Sequence, residues 1–183
     1  MRNNNKNRKI EMKRKNKKLK VSVSLPRMSF DPVGYYVEDL EKAVKFFLTE
    51  LGVSTRLQNT LNIKVHVRRT VLKKDTLGSC TVLNNGSQAT KDYKILLTDD
   101  AAHFSQLQTL AHECVHVEQQ VRGRLQRRVW SSDGQTHVRW DGKELGVWMQ
   151  DVSYADAPWE IEARAKEEKL TRAFYTFKQK ERK

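Results

Sequence analysis

Residues 107–120 read Leu107-Gln108-Thr109-Leu110-Ala111-His112-Glu113-Cys114-Val115-His116-Val117-Glu118-Gln119-Gln120, and the other assignments in the chain follow from them. They contain His-Glu-x-x-His in a segment with helical periodicity. A helix advances roughly 100° per residue, so positions i and i+4 stack one above the other. His112 and His116 therefore project from one face and can hold the same metal ion. Glu113, beside them, is placed to take a proton from a water activated there. Leu107, Leu110, Cys114, Val117 and Val121 form an apolar stripe on another side. The pattern predicts a helix with one face in a core and one in a cleft. Thr98, Asp99 and Asp100 are the candidate N-cap, and Gly123 the stop.

Composition narrows the setting. The chain has 183 residues, 38% hydrophobic and 31% charged, which suits one folded domain. No apolar run reaches membrane-spanning length, so no membrane partner is expected. The basic N-terminus lacks the apolar core of an export signal. Two cysteines, Cys80 and Cys114, make no disulfide framework, which fits a reducing cytoplasm. Residues 1–20 hold ten Lys or Arg against one Glu, so +9 of the chain's +13 sits in that stretch. It reads as a disordered basic tail, with the folded domain over 21–183. Such a tail is either an electrostatic arm for nucleic acid or a solubilising extension.

Residues 21–34 read as irregular, broken by Pro26, Pro32 and Gly34. Leu40, Ala43, Val44, Phe47 and Leu51 predict a helix over Val37–Leu51, closed by Gly52. Asn62–Thr70 alternates as a strand, Ser79–Leu83 is a second, and Asp92–Leu97 a third, with a turn at Asn84-Asn85-Gly86. The third is a candidate for pairing an extended peptide by strand addition. Arg128–Trp130 and His137–Trp140 predict a hairpin, with turns at Asp133-Gly134 and Asp141-Gly142. Trp130 and Trp140 either cap a cleft or pack. Pro158 opens a last helix bearing Leu170, Phe174 and Phe177 on its apolar side. The expected fold class is α+β, a small mixed β-sheet with a site helix and a downstream glutamate helix.

A catalytic zinc centre uses three protein ligands and an open position. Glu160, Glu162, His137 and Cys80 are the candidates for the third. The segments His112–Gln119, Trp140-Asp141-Gly142-Lys143, Tyr154 and Pro158-Trp159-Glu160-Ile161-Glu162-Ala163 together resemble a family of small phage-type metallopeptidases, similar to SprT-like and other minimal gluzincins. The likeness covers about Asp92 to Ala163.

The resemblance implies a minimal zincin-like fold, a Zn2+ ion on His112, His116 and Glu160, and a peptide or protein substrate. It also implies an edge strand beside the site helix. In such families the first Glu of Glu-x-x-Ala binds zinc and the Ala lets two helices approach. Many have Asp after that Ala, where this chain has Arg164, so the carboxylate that would steady a ligand histidine is missing at that place. Glu113 is the expected general base. Tyr154 is the expected donor to the oxyanion, with His137 and Arg139 as alternatives. Peptide deformylase shares His-Glu-x-x-His, but Gly78-Ser79-Cys80 is only a faint echo of its upstream cysteine. A reading of another class is a nucleic-acid-associated protein with a structural metal, or a peptidase tethered to DNA by its tail.

Overall fold

The computed structural model describes residues 18–25, 33–68, 77–83, 91–99, 103–129, 134–147, 151 and 153–181. Most of the basic tail, the Asn84-Asn85-Gly86 turn, Trp130 and Asp133 lie outside them. The elements, in order, are β1 (Lys20–Ser24), α1 (Val33–Glu50), α2 (Thr55–Gln58), β2 (Leu61–Arg68), β3 (Gly78–Val82) and β4 (Lys91–Thr98). They continue with α3 (His103–Val121), β5 (Leu125–Val129), β6 (Thr136–Trp140), β7 (Lys143–Val147) and α4 (Pro158–Glu181). The fold is α+β, with two small sheets. Among the described residues no helix is long and apolar enough to cross a membrane.

The first sheet is mixed, in the order β1-β2-β4-β3. β1 and β4 flank β2 in parallel, and β3 runs antiparallel to β4. The alternation in β2 sends Leu61, Ile63, Val65 and Val67 into the core and turns Lys64 and Arg68 to solvent. α1 and α3 pack on the inner face, with Phe47, Leu48, Leu110 and Val115 fully buried.

Three sequence expectations change here. The stretch over 21–34 is not wholly irregular, because Lys20–Ser24 is an edge strand. Its alternation is short and half polar, so it merges with the basic run before it. Leu19 is already joined to the fold, its N–H donating to Asn59 Oδ1 at 3.2 Å. Secondly, Asp92–Leu97 cannot take a peptide strand. It lies within β4, whose two sides are occupied by β2 and β3, and among the described residues the free edge beside the site belongs to β3. Thirdly, Thr98 ends β4 and α3 starts at His103, so Thr98 and Asp99 lie before the cap position.

The second sheet is an antiparallel meander, β5-β6-β7. The predicted hairpin is present, and a third strand follows it. Asp141 and Gly142 take φ of 46° and 81°, the paired left-handed values of a tight hairpin turn. A small separate core of Leu125, Val138, Ala157 and Trp159 joins this sheet to the start of α4. Trp140 packs, with its ring 6.2 Å from that of Trp159 and the Arg124 guanidinium 4.7 Å above it.

Candidate metal centre

The site lies in the seam between α3 and α4. α3 ends where Gly123 takes φ 73° and the Arg124 N–H reaches back to the Gln119 carbonyl at 2.8 Å. The chain then crosses the second sheet and returns as α4, with Pro158 in its first position. Along α4, Glu160, Ala163, Glu167, Leu170 and Phe174 recur at alternating spacings of three and four, one continuous stripe. Its apolar half packs into the core, and its acidic half meets the histidines. Buried Ala163 lies between them and keeps the helices close. α3 is buried nearly all round: Glu113, Val115, Glu118 and Gln119 are all inside. The sequence pattern of one buried face and one open face understates this, because α4 and the second sheet cover what a single sheet would leave exposed.

His112, His116 and Glu160 converge. His112 Nε2 is 3.1 Å from Glu160 Oε2, and His116 Nε2 is 3.3 Å from Glu160 Oε1. The two Nε2 atoms are 3.2 Å apart. This group could hold a metal ion. The donor set fits a borderline-soft divalent cation. Ligands about 2.0–2.1 Å from a tetrahedral zinc are separated by about 3.3–3.4 Å, close to the separations found.

The outer nitrogens support the same assignment. His112 Nδ1 lies 2.7 Å from Glu167 Oε2, and Gln108 Nε2 donates to the other oxygen of that carboxylate at 2.8 Å. His116 Nδ1 lies 2.9 Å from Gln119 Oε1. The Gln119 amide donates to the Trp159 carbonyl at 3.0 Å and to Glu162 Oε2 at 3.1 Å. Both of those partners only accept, so Gln119 Oε1 must face His116, and His116 Nδ1 must donate. With both Nδ1–H groups engaged, the Nε2 lone pairs point at each other and at a carboxylate. Such a cluster needs a cation, either a proton or a metal.

The titration directions describe that cluster with a proton in the metal's place. Burial would lower the His112 pKa, but hydrogen bonds to Glu160 and Glu167 carry it up to about 9. Burial would raise Glu160, yet the hydrogen bonds from His112 and His116 hold its carboxyl well below the usual carboxylate range. Glu113 is pushed up to about 7 by burial, against the opposing charges of His116 and His112.

Glu162, the alternative ligand, is engaged elsewhere. Arg124, Lys166 and Gln119 hold it, and their hydrogen bonds overcome burial to bring its pKa down to about 2. Cys80 lies on β3, outside the metal-binding group found among the described residues. His137 lies 3.5 Å from Glu144, and Arg139 donates to the Gly142 carbonyl at 2.8 Å, both within the second sheet. Tyr154 is half exposed; burial and then the charge and hydrogen bond of Glu160 raise its pKa.

Three participants escaped the sequence reading. Glu167 supplies the carboxylate missing at Arg164, and its position two turns beyond Glu160 on the same stripe was the available signal. Gln119, one turn beyond His116, was the second. The third is Gly78: a Cβ there would lie 3.0 Å from Glu113 Oε1 and 2.4 Å from Thr109 Cγ2, so the β3 backbone lies directly against the glutamate.

Comparisons with family models, with curated proteins and with solved structures returned no match.

Proposed function

We propose that this protein is a zinc-dependent metallopeptidase with a minimal gluzincin-like plan. The observation that carries the reading is the triangle of His112 Nε2, His116 Nε2 and a Glu160 carboxylate, with edges of 3.1–3.3 Å and both outer histidine nitrogens already engaged. Zinc held by this triangle would act as a Lewis acid and activate water for attack on a peptide carbonyl.

The chain's own groups supply the remaining parts. Glu113, with its pKa brought up to about 7, is suited to accept the proton of the attacking water and pass it to the leaving amine. Tyr154, hydrogen-bonded to Glu160, is the nearest hydroxyl for the developing oxyanion. The free edge of β3 passes beside Glu113 at Gly78 and can pair an extended substrate there.

A structural zinc normally has four protein ligands. Among the described residues this group has three, which favours the hydrolytic reading over a purely structural metal. The test combines metal quantification with a broad peptide-library digest. Wild type should bind about one zinc and cleave. Glu113→Gln should keep the metal and lose cleavage, whereas His112→Ala and Glu160→Ala should lose both. Wild-type cleavage by Glu113→Gln would remove Glu113 from its role. Full zinc retention in Glu160→Ala would remove Glu160 from the ligand set.

A further inference from the structure

Among the described residues, helices pack on one face of the four-stranded sheet and not on the other. On the uncovered face, Lys20, Lys64 and Arg68 are exposed and Lys94 is half-exposed. Strand register aligns them. Ser22 lies beside Lys64, Lys64 beside Lys94, and Lys94 beside Thr81, a row that crosses all four strands. Arg68 lies four residues further along β2, roughly 13 Å away at strand rise. Among the described residues these four cations enter no ion pair, and Asp92 on the same face is bonded to Asn62 at 2.6 Å.

Two like charges side by side on neighbouring strands oppose folding. Lys64 and Lys94 are such a pair. The field they make is felt locally: after burial, the charges of Lys94, Arg68 and Lys64 are what depress the His66 pKa. In the sequence, residues 1–17, which precede β1, carry eight Lys or Arg against one Glu.

We propose that this open sheet face binds the sugar–phosphate backbone of nucleic acid. Lys64 and Lys94 form the centre of the face, Lys20 and Arg68 lie to either side of them along the strands, and hydroxyl and amide side chains (Ser22, Ser24, Asn62, Thr81) surround them. Among the described residues the apolar groups here are Leu96 and, at the ends of β3, Leu77 and Leu83, with no Phe, Tyr or Trp; entry into a bilayer calls for a broader apolar surface, and base recognition in single strands for aromatic rings to stack. The face therefore suits charge-driven, sequence-independent contact with a duplex. It is separate from the metal centre, so failure of either assignment leaves the other standing.

The experiment is fluorescence anisotropy of the full chain on a labelled mixed-sequence DNA duplex of about 25 base pairs across a salt series, with anionic phosphatidylserine vesicles in parallel. Wild type should bind the duplex with a steep salt dependence. Each of Lys64→Gln, Arg68→Gln and Lys94→Gln should reduce the log–log salt slope by about 1, and the triple variant by about 3. The triple variant should also lose about tenfold or more in affinity at moderate salt. Lys64→Arg with Lys94→Arg should bind as wild type does. Single variants keep the test open should the triple variant fold poorly. Unchanged slopes in all of them would overturn the proposal, as would binding lost only on deletion of residues 1–17, or vesicle binding without duplex binding.

Discussion

Glu167 Oε2 lies 2.7 Å from His112 Nδ1, two helical turns along α4 from Glu160, which faces the same ring at its other nitrogen. One helix thus grips both sides of one imidazole. In the proposed metal centre the near carboxylate would bind the ion with the ring, and the far one would set the ring's tautomer and angle. Removing the far carboxylate should weaken metal binding without unfolding the protein. Glu167→Gln should cost about tenfold in zinc affinity and Glu167→Ala up to about a hundredfold, measured by competition with a chromophoric chelator. Wild-type affinity in Glu167→Ala would show that the contact does not orient the ring.

Gln119 performs the equivalent task for His116, but it is tied more deeply into the fold. Its amide spans the Trp159 carbonyl, Glu162 and the His116 ring, and it is completely buried. Gln119→Ala leaves those three groups short of a partner, so a loss of about 1–3 kcal/mol in stability is expected along with weaker zinc binding. Chemical denaturation of the metal-free and zinc-loaded forms separates the two effects. The zinc-loaded form should lose more stability than the metal-free form, because only there does ring angle matter to the bound ion.

The metal-free protein should lose stability as pH rises from about 6.5 to about 9. His112 has its pKa raised from 6.5 to about 9 in the folded state. A raised basic group binds its proton more tightly when folded, so its contribution is fully present below the unfolded value and disappears as pH passes the folded one. In the proposed zinc centre the metal would take the place of that proton. The melting temperature of the zinc-loaded protein should therefore change much less over the same interval, and zinc binding should release protons, seen as a buffer-dependent enthalpy in calorimetry. A metal-free melting temperature that stays level from pH 6.5 to 9 would sink this account of the cluster.

Gly78 should tolerate no side chain. Its missing Cβ is what allows β3 to lie against α3, with Thr109 Cγ2 at 2.4 Å, Glu113 Oε1 at 3.0 Å and the Leu96 carbonyl at 3.2 Å from the place a methyl group would take. Gly78→Ala should lose about 1–3 kcal/mol and displace Glu113, lowering the rate of peptide cleavage. The closest clash is with the Thr109 methyl, so adding Thr109→Ser should recover part of the stability. Failure of the second substitution to recover any would place the strain elsewhere.

Much of the site was legible in the chain itself. His112, Glu113 and His116 are one turn of one helix, and helical geometry brings their side chains together whatever surrounds them. Alternation over Asn62–Thr70 and the Asp141-Gly142 turn likewise report local backbone preference; β2 is found at Leu61–Arg68, residues 69 and 70 lie outside the described residues, and the β6–β7 turn appears where expected. β1 was not legible, since five half-polar residues become a strand only when β2 offers its edge.

The chain alone determined the two histidines, the adjacent glutamate and an acidic helix downstream, because short-range periodicity settles each of these. Tertiary structure decided which acid completes the group. Glu160 and Glu162 are two residues apart, about 200° around a helix, and only the packing of α4 on α3 turns the first toward the imidazoles and the second toward Arg124. The same packing chose Glu167 over position 164 and put β3, not β4, at the free edge. Those are choices between distant segments, and they rest on how helices and strands fill one shared core rather than on any local preference.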